Sequence, residues 1–177
     1  MNIVGKGIAK IDGMSIATGK PVYTDDLADK EALVVKILRS PHPYAIIEEI
    51  DTKRALMVPG VECILTYKDV PNNRFTLAGQ SYPEPSPYDR LILDKTVRYV
   101  GDEVAIIAAI DEKTALKAMK MIKVKYNVLK PVIDMEEAID NESIIHTEDV
   151  HCNFDIGMER ERNIVSKHLY EKGNVEE

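Results

Sequence analysis

An α+β domain is what this sequence predicts, and three consecutive runs of residues predict it. Val104 to Ile110 (VAIIAAI) is continuously apolar, the composition of a strand covered on both faces and placed at the centre of a sheet. The period then changes, because Ala115, Ala118, Met119 and Ile122 fall at helical spacing while Lys113, Lys117 and Lys120 lie off that stripe. With Asp111 as N-cap, a helix from Glu112 to Met121 follows. From Ile122 to Val128 the period is two, with Ile122, Val124, Tyr126 and Val128 alternating with Lys123, Lys125 and Asn127. Strand, helix and strand in this order suggest a βαβ-type unit within a mixed sheet.

The preceding elements are read the same way. Residues 1–30 carry Gly5, Gly7, Gly13 and Gly19 among short polar stretches, which suits an extended N-terminal arm with repeated turns better than a long helix. Ala32 to Ser40 is rich in β-branched residues and ends at Pro41-His42-Pro43, so it reads as a strand followed by a turn. Ala45 to Ile50 makes a second strand. Asp51 or Thr52 can cap a short helix through Met57 that Pro59-Gly60 terminates, and Val61 to Tyr67 makes a third strand. Pro71, Pro83, Pro85 and Pro87 break up the long stretch from Pro71 to Arg90. A loop of about 20 residues is uncommon unless it binds something or packs on another domain, and packing is the expectation here. Asp134 to Ile139 has acidic residues at its start and reads as a short helix. Beyond Asn141 the periodicity is weak. His151 to Glu177 offers only scattered apolar side chains, so residues from about 150 onward are expected to be loosely attached.

Composition narrows the function classes. The 177 residues carry 23 Lys plus Arg against 30 Asp plus Glu, a formal charge of -7, which disfavours nucleic acid or an anionic membrane as a partner. No run approaches the roughly 18 apolar residues of a membrane span. Cys63 and Cys152 lie far apart and in no CxxC pattern, so reduced thiols and a cytoplasmic protein are expected.

A search for chemistry finds little. Gly13 to Pro21 (GMSIATGKP) has one residue too many between its glycines for a phosphate loop, and Pro21 stands where a magnesium-binding hydroxyl is needed. Val4 to Lys10 lacks the third glycine of a dinucleotide fingerprint. His146, His151 and Cys152 are metal-type side chains, but two of them are adjacent and a tetrahedral site would need further ligands. Asp25 with Asp26, and Glu48 with Glu49, are neighbours whose side chains diverge in extended backbone rather than share a proton. Ser40, His42 and Asp51 supply the atoms of a hydrolase triad without a nucleophile elbow. No catalytic, cofactor-binding or metal-ligating residue is therefore expected in this chain.

Three blocks, in order along the chain, resemble the molybdenum hydroxylases, the xanthine dehydrogenase/aldehyde oxidase family. They are Val4 to Leu27 (VGKGIAKIDGMSIATGKPVYTDDL), Lys36 to Pro71 (KILRSPHPYAIIEEIDTKRALMVPGVECILTYKDVP) and Val97 to Tyr126 (VRYVGDEVAIIAAIDEKTALKAMKMIKVKY), followed by Pro131 to Ile139 (PVIDMEEAI). The resemblance implies the N-terminal α/β hammerhead of a molybdopterin-binding large subunit. It implies an arm over residues 1–30, the hammerhead over 31–140, and over 141–177 a linker with the truncated start of the first molybdenum-cofactor-binding domain. The implied enzyme hydroxylates a purine, another N-heterocycle or an aldehyde with water as oxygen source. It would use molybdopterin in the large subunit, with 2Fe-2S and FAD in partner subunits or domains. In that family the catalytic and cofactor-contacting residues lie in later domains, so the fragment itself is structural. A stand-alone binding or assembly module of the same fold is the alternative.

Overall fold

The computed structural model describes residues 4–77, 79, 82–148 and 150–173. It divides into two compact units, Met1–Ala32 and Leu33–Glu177. In the first unit a single helical turn and a half, α1 (Gly13–Ala17), is followed by a 3-10 turn at Thr24–Leu27, where the Tyr23 amide donates to Asp26 Oδ2 at 2.8 Å. The would-be phosphate loop is thus a short helix and the turn after it, with Gly19 at a φ of +67°.

The second unit contains β1 (Val34–Arg39), β2 (Ala45–Asp51), α2 (Lys53–Leu56), β3 (Val61–Thr66), β4 (Thr96–Val97), β5 (Glu103–Ala109), α3 (Glu112–Met119) and β6 (Lys123–Val128). They form two three-stranded sheets of order β1-β5-β3 and β4-β2-β6. The α+β class stands, but the pairing differs from the expected mixed sheet with a βαβ unit. All strand pairs described are antiparallel, and β5 and β6 lie in different sheets. The reason is geometric. Both edges of β5 are taken, by β1 and by β3, so the chain leaving α3 finds no free edge beside β5 and pairs with β2 instead.

As its composition requires, β5 is central and closed on both faces. Ala105, Ile107 and Ala109 point into one apolar cluster with Ala55, Ile64, Ala115 and Ala118, while Val104 points into a second with Ala45, Ile47 and Val97. Leu38 and Ile50 pack against both clusters and join them into one core. Alanines on the facing surfaces of β5 and α3 let the helix lie close on the sheet.

Asp111 caps α3 as expected, its carboxylate accepting from the Thr114 amide at 2.7 Å. The helix ends at Met119, and the Met121 amide then donates to the Ala118 carbonyl in a tighter turn. Losing the cap in Asp111→Ala is expected to destabilise the folded state. The check is the denaturation midpoint, and an unchanged midpoint would show that this cap carries no stability.

Asp51, rather than Thr52, holds the first turn of α2, by accepting from the Lys53 amide at 3.0 Å. The helix stops at Leu56 with Met57 as its C-cap, before Pro59-Gly60 is reached; Gly60 instead makes the turn into β3 at a φ of +89°, where a Cβ would lie 2.7 Å from Ile110 Cδ1. Only glycine meets both demands. The short helix expected at Asp134 to Ile139 is instead a run of turns with i to i+3 bonds, such as Ala138 N to Met135 O. Too few apolar neighbours oblige this segment to propagate into a helix, because nucleation is costly and Ile133, Met135 and Ile139 are exposed.

Candidate functional site

Residues from four stretches of the second unit meet around one guanidinium. Arg98 follows β4, and the pairing of β4 with β2 fixes where its side chain starts. Its Nη1 donates to Asp94 Oδ2 at 2.7 Å and to the Thr96 carbonyl at 3.1 Å. Nη2 donates to Glu148 Oε1 at 2.9 Å, and Nε to the Ile145 carbonyl at 3.2 Å. The Arg98 and Glu148 side chains are only 14% and 17% exposed, so this ion pair is largely shielded from water. Arg74 lies 3.4 Å from the same Glu148 oxygen and His146 Nδ1 2.9 Å from it, while Arg160 donates to the Glu148 carbonyl. The Tyr44 hydroxyl donates to the Ile144 carbonyl at 2.9 Å, and Asn163 accepts from the Ile145 amide and donates to the Ala138 and Ser143 carbonyls.

These bonds join residues 138–163, which have little regular structure of their own, to the ends of the β4-β2-β6 sheet. Sequence reasoning missed the cluster. An arginine in the otherwise apolar start of Thr96 to Ile110 is the one local signal, since a cation there must find a buried anion; which anion, 50 positions on, no periodicity reveals.

Burial by itself would raise the Glu148 carboxyl, but its hydrogen bonds with the His146 ring and its own backbone, with the charge of Arg98, hold it below the usual carboxylate range. Desolvation works against the Arg98 cation, yet Asp94 and Glu148 raise its affinity for the proton. Asp102, which accepts from the Arg98 and Glu103 amides, is pushed up, chiefly by burial.

A carboxylate depressed in the folded state adds stability above its unfolded pKa and loses that contribution as pH falls through the folded one. Asp102 has the opposite sign, since its protonation at low pH relieves a buried charge. The stability gap between the parent and Glu148→Gln is therefore expected to be full above about pH 5 and to close as the pH falls below 4. Thermal midpoints across that range would read it, and a gap independent of pH would refute the assignment.

Two cavities flank this cluster, and Ile145, His146 and Asp89 line both. One, of about 340 Å³, is walled mainly by apolar side chains of residues 132–165; the other, of about 240 Å³, is polar and includes Arg90, Asp94, Arg98, Asp102 and Glu103.

The remaining sequence candidates are not assembled into sites. Ser40 Oγ accepts from the His42 amide and donates to the His42 carbonyl, the His42 ring stacks edge-on against Tyr126 with centroids 4.9 Å apart, and Asp51 is occupied with α2. Glu48 pairs with Lys125 at 2.7 Å, and Asp26 holds the Tyr23 amide. His151 tilts against the Tyr88 ring, its backbone bridges to Tyr88, and its Nε2 lies 3.1 Å from Asn153 Oδ1. Among the described residues, no group of three or more His, Cys, Asp or Glu side chains is placed to hold a metal ion. The ends of the proline-rich loop are tied within their own unit, Phe75 to Arg90 and Tyr88 to His151; residues 78, 80 and 81 of that loop lie outside the described residues. Among the described residues, no helix is long and apolar enough to cross a membrane.

The chain is 41% identical over 151 residues to a protein of Escherichia coli (strain K12) described as "Probable hypoxanthine oxidase XdhD", covering 85% of this chain and 16% of that protein. It is 37% identical over 135 residues to the "Putative xanthine dehydrogenase molybdenum-binding subunit XdhA" of the same organism, covering 73% of this chain and 18% of the relative. The solved aldehyde oxidoreductase from Desulfovibrio desulfuricans superposes with a TM-score of 0.68 at 28% identity, over 82% of this chain and 17% of that one. The chain thus spans less than a fifth of the length of these proteins. Residues 18–130, which include both sheets and α3, match the family model for the aldehyde oxidase and xanthine dehydrogenase a/b hammerhead domain, and the chain belongs to that family.

Proposed function

We propose that this chain is the N-terminal hammerhead of the large subunit of a xanthine dehydrogenase-like molybdenum hydroxylase, an oxidoreductase that hydroxylates a purine, another N-heterocycle or an aldehyde with oxygen taken from water. The observation that carries this is the 41% identity over 151 residues to a probable hypoxanthine oxidase, which is also the basis for preferring a purine. In this reading residues 31–140 are the hammerhead and 141–177 lead into the first cofactor-binding domain. The remaining domains of the large subunit, and iron-sulfur and FAD subunits or domains, are its partners, in the cytoplasm. The molybdenum cofactor supplies the redox centre at which the substrate is hydroxylated.

The described residues do not themselves fit that cofactor. They offer no donor cluster for a metal, and the arginines lining the two cavities, Arg90, Arg98 and Arg160, are already engaged with Tyr99, Glu103, Asp94, Glu148 and backbone carbonyls. In this reading the role of the chain is structural, and the reaction runs through residues of later domains.

The test is to purify the native protein that carries this sequence, measure its molybdenum, and follow purine turnover in water labelled with heavy oxygen. Stoichiometric molybdenum and label in the product are expected. A native protein free of molybdenum would overturn the reading. Residues 1–177 expressed alone are expected to retain no molybdenum, iron or flavin after dialysis, and stoichiometric metal or a flavin absorption band would reveal a site here.

A further inference from the structure

The two sheets end in the edge strands β1, β3, β4 and β6, and three of these are guarded against further pairing. β3 is bulged between Val61 and Cys63, with Glu62 at the irregularity, β6 carries Lys123 and Lys125, and β4 is two residues long. β1 has no such guard. Its register shifts only at Leu38/Arg39, and its one lysine before that point, Lys36, is turned toward α3 and held by Glu112 at 2.5 Å. Among the described residues, the backbone from Leu33 to Ile37 makes no hydrogen bond except to β5, so a row of amides and carbonyls faces outward. Strand alternation puts Leu33, Val35 and Ile37 on the face away from α3, and they are 46%, 54% and 37% exposed.

The backbone groups alone would accept any extended peptide, but the side chains select a second copy of this chain. A two-fold axis through Val35 sets Val35 against its own copy and Leu33 against Ile37, so every exposed apolar side chain of the edge meets another. Neighbouring registers fail. An axis through Lys36 puts two lysines directly opposite each other, and one through Val34 carries Ile37 past the start of the strand to Glu31. With the axis at Val35, Lys36 instead faces Val34, and each lysine keeps its own Glu112. A pairing this short buries less than the roughly 1,200–2,000 Å² of a stable interface, so it is concentration-dependent by nature.

We propose that β1 is a homotypic docking edge, along which two copies of this chain pair antiparallel about Val35 and join their β1-β5-β3 sheets into one. The pairing does not depend on the function proposed above. The experiment uses the native protein that carries this sequence, with Val35→Cys or Ile37→Cys, oxidised with glutathione disulfide over a range of protein concentrations. Cross-linked peptides are identified by mass, which sets the native Cys63 and Cys152 apart.

Across the axis the two Cα atoms at 35 lie about 4.5–5.5 Å apart, within reach of a disulfide, whereas those at 37 are offset by about 13 Å along the strand. Val35→Cys is therefore expected to form a linked dimer at least about tenfold faster than Ile37→Cys. Leu33→Cys mixed with Ile37→Cys should give the link between 33 and 37. Val35→Lys, at an exposed position where the thermal midpoint should not move, is expected to abolish the rise of sedimenting mass with concentration. Equal linking rates at 35 and 37, or a rise in mass that Val35→Lys leaves intact, would overturn the pairing and leave the proposed function standing.

Discussion

Replacing Ile107 by aspartate is expected to leave no folded protein. Ile107 has no exposed surface, lies on the central strand opposite Lys36 of β1 and Ile64 of β3, and packs in the cluster that includes Ala55, Ala115 and Ala118. A carboxylate there loses the transfer free energy of a buried isoleucine, about 1.5–3 kcal/mol, and in addition is either desolvated without a partner or protonated at a further cost of several kcal/mol. Against a total stability of about 5–15 kcal/mol, the sum is enough to empty the native state. Ile106, on the other face, is only half-buried, so Ile106→Asp should cost visibly less. Lys117→Ala, on the exposed side of α3, should change the midpoint by less than about 0.5 kcal/mol. Circular dichroism and the denaturation midpoint of the three variants provide the check. Equal tolerance at 106, 107 and 117 would refute the burial assigned to β5.

The contrast between 106 and 107 shows how far the sequence could be read. An uninterrupted apolar run announced that β5 is covered on both faces, and the alternation from Ile122 to Tyr126 announced that β6 is covered on one. Those are statements about single strands, and they hold. Which strands pair is not a property of either strand. β5 and β6 read as parallel neighbours because a helix joins them, and the competition of β1 and β3 for the edges of β5 decides otherwise. Val128 breaks the alternation by being 54% exposed, although it is the last apolar residue of the pattern; nothing in its own segment distinguishes it from Val124. The Asp134 to Ile139 segment has the composition of a helix start and remains a turn, because a helix that short depends on tertiary packing for most of its stability.

The polar cluster was the least legible part. Its members, Arg74, Asp94, Arg98, His146 and Glu148, are spread over 75 residues and share no spacing rule, and only the assembled sheets bring them within hydrogen-bond reach. Ser40, His42 and Asp51 are close in sequence, and each is engaged with backbone or with Tyr126.

Arg98→Ala is expected to release residues 141–167 from the sheets without unfolding them. Composition alone suggests loose attachment from about residue 150 onward, but in the structure the tail is bonded to the body at Ile144, Ile145, Glu148, His151 and Asn153, and Arg160 and Asn163 tie it to its own Glu148 and Ile145. Arg98 contacts both sides, reaching Asp94 and Thr96 on the body and Ile145 and Glu148 on the tail, where Arg74 makes a weaker link from the Asp89 carbonyl to Glu148. Removing one partner of a largely buried ion pair costs about 3–5 kcal/mol, and the low end applies here because Arg74 and His146 still face Glu148. The β1-β5-β3 sheet, which shares none of these bonds, should keep its protection. Limited trypsin digestion with mass measurement distinguishes the outcomes. In the parent, cuts at Arg160, Arg162 and Lys167 should be slow, because Arg160 is bound to the Glu148 carbonyl, Arg162 to Asp140 and Lys167 to Glu159. In Arg98→Ala the same sites should be cut early and leave a resistant body that still contains β5 and α3. If the parent is cut at these sites as fast as the variant, the tail is held by nothing that Arg98 supplies, and the loose attachment suggested by its composition is correct after all.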